Sequence, residues 1–185
     1  MNPPASLEGH ERLRLFVALL LPPDVPSRIA EWQSRVLRDA DVRAVTPENL
    51  HVTVAFLGST DPEDLPRIAT VVQDAGLVSS APTFEAVRYR ESRSVAMIVL
   101  DDLGAVGTQL ADGVFSRLEG VGVYEREQRP WLPHITVARF KTRPRLRPEA
   151  PELGRFVSSE LAVMISRLRR SGAQYDVLES VPLGG

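Results

Sequence analysis

A five-residue pattern occurs twice in this chain, and it constrains the fold more than any other feature. The first copy is His51-Val52-Thr53-Val54-Ala55 and the second is His134-Ile135-Thr136-Val137-Ala138. The sequence holds three histidines, and two of them sit in this pattern. Polar and apolar residues alternate at the start of each copy, the period of a strand with one buried face. Residues two apart on a strand share a face. His51 and Thr53 therefore point one way while Val52 and Val54 point the other. His134 and Thr136 repeat this against Ile135 and Val137. One copy lies in each half of the chain, so each half can give one strand to a shared cleft. That cleft would present two imidazoles and two hydroxyls on rigid backbone.

Around the motifs, strand and helix signals intermingle. Residues 13–20 form an apolar run that reads as a central strand, stopped by Pro22-Pro23. Asp24 or Ser27 caps a helix to about residue 39, with Ile29, Trp32, Val36 and Leu37 on one face. Asp61-Pro62-Glu63 starts a second helix with an apolar stripe of Leu65, Ile68, Val72 and Ala75, and Gly76 is its expected C-cap. Residues 84–90 and 95–100 read as a strand pair. Asp101 is expected to open a third helix bearing Leu103, Val106, Leu110, Val114 and Leu118. Strands are expected at 121–126, 161–166 and 175–180, and the arginine-rich stretch 139–147, which holds Pro144, reads as a loop. Residues 1–10 lack periodicity and are expected to be a disordered leader. The mixture predicts an α+β fold with an antiparallel or mixed sheet and helices outside it. No linker splits the chain, so residues 11–185 are expected to form one domain.

Composition removes several classes. There are no cysteines, which excludes disulfides and thiolate metal sites and points to a reducing, cytoplasmic setting. The longest apolar run, residues 15–23, is too short to span a bilayer. A net charge of −2 gives no global nucleic-acid signature. The basic residues are nearly all arginine, Lys141 being the one lysine. Arginine's planar fork suits phosphate, although composition alone assigns no role.

Two facing imidazoles can work as an acid–base pair, because an unperturbed histidine titrates near ~6.5. Cleavage of a phosphodiester needs such a pair: a base for the attacking oxygen and an acid for the leaving one. Two threonine hydroxyls can hold the non-bridging oxygens where charge collects. Metal ligation by His51 and His134 is the weaker reading. Two imidazoles fall short of the usual zinc count, and the nearest upstream acids are Glu48 and Glu127, neither at ligand spacing. No cofactor or metal is expected.

The paired motifs and their flanks resemble the 2H phosphoesterase superfamily, in particular the LigT-like RNA 2′,3′-cyclic phosphodiesterases (the bacterial 2′-5′ RNA ligase family). The likeness rests on Arg14-Leu15-Phe16-Val17-Ala18 with Leu21-Pro22, and on Pro47-Glu48-Asn49-Leu50 leading into His51 through Gly58. It continues in Pro133 through Arg139, and in Ser166-Arg167-Leu168 with Gly172, Tyr175 and Leu178. This resemblance implies two pseudo-symmetric lobes around a central cleft and hydrolysis of a terminal 2′,3′-cyclic phosphate to a 2′-phosphate. It implies His51 as proton donor, His134 as proton acceptor, Thr53 and Thr136 on the phosphate, and weak 2′–5′ ligation in some relatives. It also places an arginine at Arg139 in a phosphate role. Strict alternation turns Arg139 away from His134, so it reaches the cleft only if the strand ends or bulges there.

The expected substrates are RNA 3′ ends or nucleoside 2′,3′-cyclic phosphates. No membrane or obligatory protein partner is expected, and both motifs in one chain suit a monomer. Lys141, Arg143, Arg145 and Arg147 could steer RNA or simply form a solvated loop. Phe56, Trp131 and Tyr89 could stack on a base or belong to the core. Two other readings stay open: a nucleotide- or RNA-binding module without turnover, and an esterase for small cyclic nucleotides or 2′–5′ oligonucleotides.

Overall fold

The structure is a computed structural model and describes residues 11–169 and 172–184; the expected leader lies outside the described residues. The elements are β1 (Leu13–Leu19), α1 (Asp24–Val36), β2 (Arg43–Ala44), β3 (Val52–Thr60), α2 (Leu65–Val78), β4 (Thr83–Glu91), β5 (Val95–Leu103), α3 (Val106–Gly120), β6 (His134–Arg139), β7 (Arg155–Val157), β8 (Glu160–Arg169) and β9 (Gly172–Pro182). All strands belong to one sheet in the order β7-β4-β5-β6-β3-β1-β8-β9, with β2 paired to β6. Every pairing is antiparallel.

The two motif strands, β3 and β6, are neighbours at the centre of this order. Outward from them run two four-stranded halves, β3-β1-β8-β9 and β6-β5-β4-β7. These are the two lobes that the family resemblance implies, joined edge to edge into a continuous sheet, with β8 and β9 of the second half of the chain completing the lobe of β3. The join is slight: β3 and β6 share the single register pair Val52↔Ile135.

Alternation sorts the side chains onto two faces. Leu15, Val17 and Leu19 of β1, Leu161, Val163 and Ile165 of β8, and Ile98 and Ile135 are buried in one cluster with residues of all three helices. Those helical residues include Ile29 and Trp32 of α1, Ile68 and Val72 of α2, and Leu110, Val114 and Leu118 of α3. Each fully buried aliphatic side chain of this kind contributes roughly 1.5–3 kcal/mol relative to exposure. On the other face, Phe16, Ala18, Ala162 and Met164 form a separate small cluster with Tyr175 against it. The sheet thus has one helix-covered face and one open face.

Several local expectations are corrected. No strand forms at 121–126; the chain turns at Gly122 (φ 73°), and Tyr124 and Arg126 dock on α3 instead. The Tyr124 ring stacks on Phe115 at 5.4 Å, and the Arg126 guanidinium pairs with Asp112 at 3.1 Å. The third helix opens at Val106 because residues 101–103 complete β5. Asp102, not Asp101, holds its start: one carboxylate oxygen accepts from Gly107 N–H at 2.9 Å, and the other from Thr108 N–H at 2.7 Å. Gly76 lies inside α2 rather than ending it. A Cβ there would stand 2.3 Å from Val181 Cγ1, so the missing side chain lets β9 press against the helix. No helix among the described residues is long and apolar enough to cross a membrane.

Gly76→Ala should cost roughly 1–3 kcal/mol of stability from overpacking and so lower the unfolding midpoint, even though alanine is the better helix former. Adding Val181→Ala should recover part of that loss. Thermal melts of the single and double variants check this; a Gly76→Ala protein more stable than the parent contradicts the close approach.

Candidate active site

Antiparallel pairing of Val52 with Ile135 fixes the arrangement around it. Continuing that register one residue each way sets His51 opposite Thr136 and Thr53 opposite His134. Val52 and Ile135 are both fully buried on the helix-covered face, so the four polar side chains share the open face. An approximate two-fold axis through the pair exchanges His51 with His134 and Thr53 with Thr136. The imidazoles stand on a diagonal, and diagonal neighbours across an antiparallel pair lie about 7–8 Å apart. Trp131 locks the two strands in place by donating its indole N–H to the Thr53 carbonyl at 3.0 Å.

Both imidazoles are oriented in the same way. His51 Nδ1 lies 2.8 Å from the Asn49 carbonyl oxygen, and His134 Nδ1 lies 2.8 Å from the Leu132 carbonyl oxygen. A carbonyl only accepts, so each Nδ1 carries the hydrogen and each neutral Nε2 is an acceptor. In the neutral ring, His51 Nε2 accepts from the Thr53 hydroxyl at 3.1 Å.

His51 is the more enclosed of the two. Phe16 lies 4.9 Å from it and Tyr175 meets it edge-on at 5.3 Å, centroid to centroid. Burial is the main reason its pKa falls from 6.5 to about 4; the Asn49 carbonyl opposes the shift, and the charges of His134 and Arg139 add to it. The Asn49 side chain donates to the Ala173 carbonyl and accepts from the Tyr175 N–H, each at 3.0 Å, so the turn that sets the His51 tautomer is also tied to β9.

Arg139 reaches the open face through a bulge. Met97 pairs with Thr136 and Ala96 with Ala138, which leaves Val137 as an extra residue on β6. The parity of the strand flips there, and Val137 and Ala138 are both fully buried. Arg139 then donates to the Tyr175 hydroxyl at 3.2 Å, beside His51. Gln33 of α1 supports the bulge by donating to the Val137 carbonyl at 2.7 Å and the Val45 carbonyl at 2.9 Å. The first motif bulges at the matching residue: Ala18 pairs with Thr53 and Val17 with Ala55, leaving Val54 extra. The residue equivalent to Arg139 in that copy is Phe56, which is 51% exposed. At this point the two-fold likeness breaks, with an aromatic ring on one side and a cation on the other.

A cleft of about 560 Å³ opens beside the motifs, lined by Thr53, Phe56, Arg90, Met97, Trp131 and His134. Phe56 and Trp131 thus line the cleft. Tyr89 does not: its ring packs 6.0 Å from Trp32 of α1, and its hydroxyl donates to Glu91 at 2.9 Å. Glu91 also settles part of the basic segment. Its buried carboxylate accepts from Arg143 Nε at 3.0 Å and from the backbone N–H of Arg145 and Leu146 at 3.0 and 2.8 Å. Burial pushes this carboxyl's pKa up, but the hydrogen bonds outweigh that and hold it below the ordinary value. Arg143 is thereby committed to an internal ion pair. Phe16, Asn49, Tyr175 and Gln33 are the site-building residues that motif reasoning did not assign. Phe16, Asn49 and Tyr175 had only the flanking resemblance as a signal, and Gln33 had none.

Residues 19–89 match the family model described as LigT like Phosphoesterase. Over 154 residues the chain is 32% identical to an RNA 2′,3′-cyclic phosphodiesterase of Archaeoglobus fulgidus, covering 80% of this chain and 82% of that protein. It is 30% identical over 183 residues to one from Thermus thermophilus, covering 94% and 91%. Among solved structures, Thermus thermophilus TT0787 matches with a TM-score of 0.81 at 26% identity, over 94% of this chain and 99% of that one.

An NMR titration of the His51 ring in the free protein should give a midpoint near 4. Arg139→Ala and His134→Ala should each raise it. The folded pKa is depressed, so the stability gained by keeping His51 neutral is complete above pH 6.5 and lost as the pH falls toward 4. A midpoint at the ordinary 6.5 contradicts the enclosure by Phe16 and Tyr175.

Proposed function

The chain belongs to the LigT-like phosphoesterase family, and from that premise we propose that it hydrolyses RNA 2′,3′-cyclic phosphate ends to 2′-phosphates with His51 and His134 as its acid–base pair. The observation that carries this reading is the identical fixing of both rings by backbone carbonyls through Nδ1, on two strands that meet at one register pair, so that neither Nε2 has a backbone partner. Among the described residues no three His, Asp or Glu side chains gather where they could hold a metal ion. The cyclic phosphate sits between the rings, with the Thr53 and Thr136 hydroxyls and the Arg139 guanidinium on its non-bridging oxygens. His134 Nε2 takes a proton from water as the water oxygen bonds to phosphorus. His51 Nε2 gives a proton to O3′ as the P–O3′ bond breaks. The phosphate stays on O2′, and the two histidines return to their starting states by exchange with solvent.

The low pKa of His51 sets a condition on this scheme. The free protein holds His51 neutral at pH 7, and a donor must be charged. A phosphate anion in the cleft acts against the charges of His134 and Arg139, so the proton arrives with the substrate. The same observation favours a second reading, in which the neutral His51 is the base and His134 the acid. With a 5′-hydroxyl in place of water, either version joins RNA ends through a 2′–5′ bond. The terminal base lies in the larger cleft against Phe56 and Trp131. Each chain contains both motifs, so a monomer suffices, and residues 11–185 act as one unit.

Incubation with a nucleoside 2′,3′-cyclic phosphate should yield the 2′-phosphate alone, with turnover preserved in chelator. His51→Ala and His134→Ala should each lose about 10²–10⁴-fold in kcat. A phosphodiester with a nitrophenolate leaving group needs no acid. On that substrate His51→Ala should regain turnover while His134→Ala should not; the opposite pattern assigns the roles the other way, and unchanged hydrolysis by either variant on the cyclic nucleotide ends the two-histidine reading.

A further inference from the structure

A second, smaller pocket of about 270 Å³ has Tyr175 and Arg139 in its wall, neither of which lines the cleft. Its walls include Arg43, Thr46, Asn49 and Gln174 along with those two residues. Arg43 lies on β2 directly opposite Arg139 on β6. Residues directly opposite on antiparallel strands hold their side chains on the same face, about 4.5–5.5 Å apart at Cβ, and like charges so placed repel.

Nothing nearby offsets this repulsion. No acidic side chain lines the pocket, and neither arginine pairs with a carboxylate among the described residues. In the larger cleft, by comparison, two of the three lining arginines are paired, Arg126 with Asp112 and Arg129 with Glu127. Arg139 rests on a neutral phenol, the Tyr175 hydroxyl. Arg43 extends over Gly172 of β9, where an added Cβ would fall 1.7 Å from its Nη2. The glycine is what gives the guanidinium room. Two unneutralised guanidiniums face one concave pocket, and the neighbouring Thr46 and Gln174 can add further hydrogen bonds.

We propose that this pocket is a second phosphate subsite, in which Arg43 binds a backbone phosphodiester of the RNA chain next to the terminal nucleotide. The inference rests on the reading of the site as an RNA end hydrolase and adds to it a preference for oligonucleotides over mononucleotides. Arg139 sits between the two positions and serves the reacting phosphate. Arg43 serves the neighbouring one through a charge-assisted, two-pronged contact. A mononucleotide ends before it reaches the pocket.

The test compares a nucleoside 2′,3′-cyclic phosphate with a trinucleotide ending in the same group, using the wild-type protein, Arg43→Gln and Arg43→Lys. For the trinucleotide, Arg43→Gln should lower kcat/KM about tenfold, Arg43→Lys should restore part of it, and the salt dependence should become shallower by about one phosphate contact. The mononucleotide should be hydrolysed equally by all three proteins. Equal losses on both substrates would place Arg43 on the reacting phosphate, and no loss on either would leave the pocket without a role in binding; both results overturn the proposal. Binding is measured in parallel by fluorescence anisotropy, as displacement of a labelled trinucleotide 2′-phosphate by its unlabelled form or by a nucleoside 2′-phosphate. If the wild-type protein turns over neither substrate, the functional reading fails. The binding arm still decides the subsite: Arg43→Gln should weaken the trinucleotide alone, and unchanged trinucleotide binding refutes it.

Discussion

One backbone pairing, Val52 with Ile135, is the contact on which the whole site depends. Each residue drops its own side chain into the helix-covered core, and in doing so turns its neighbours on either side to the open face. The neighbours are His51 and Thr53 on one strand and His134 and Thr136 on the other. The energy that holds the polar quartet in position is therefore hydrophobic and lies on the opposite side of the sheet. Because β3 and β6 pair at this point only, the lobes diverge beyond it and leave space for a ligand. A longer ladder would close that space, while the two halves are held together by the core cluster they share beneath the sheet.

The motif repeats, but its two copies are not identical, and the proposed ligand is not symmetric either. Each copy bulges at its fourth residue, Val54 or Val137, and each bulge turns the residue two positions further on toward the open face. One copy presents Phe56 there and the other Arg139. A nucleotide has an aromatic end and a charged end, and the divergence of the copies matches that polarity. The enclosure of His51 by Phe16 and Tyr175 is a second departure from symmetry. It lowers the proton affinity of His51, although the carbonyl partners of the two rings are equivalent.

The three helices, most of the strands and the face assignment of the quartet were legible in the sequence, since they follow from periodicity; β7 and the start of α3 were not. The bulge was not. Alternation alone sends Arg139 to the wrong face, and the extra residue that corrects it, Val137, is apolar like its neighbours. The support from Gln33 is equally silent, because a glutamine on a helix ordinarily reads as solvent-facing. Gly76 was misread for a related reason. A glycine near a helix end suggests a cap, and its actual purpose, the approach of Val181, depends on a strand over 100 residues later in the chain. The strand expected at 121–126 failed because its charged residues found partners on α3, a tertiary effect that local pattern does not contain.

A crystal structure with a nucleoside 2′-phosphate bound tests the central claim most directly. The phosphate should lie within hydrogen-bonding distance, about 2.7–3.2 Å, of Nε2 of both His51 and His134, with both Nδ1 atoms still on their carbonyl partners. A phosphate held by only one of the two rings, or bound away from the β3–β6 junction altogether, would contradict it.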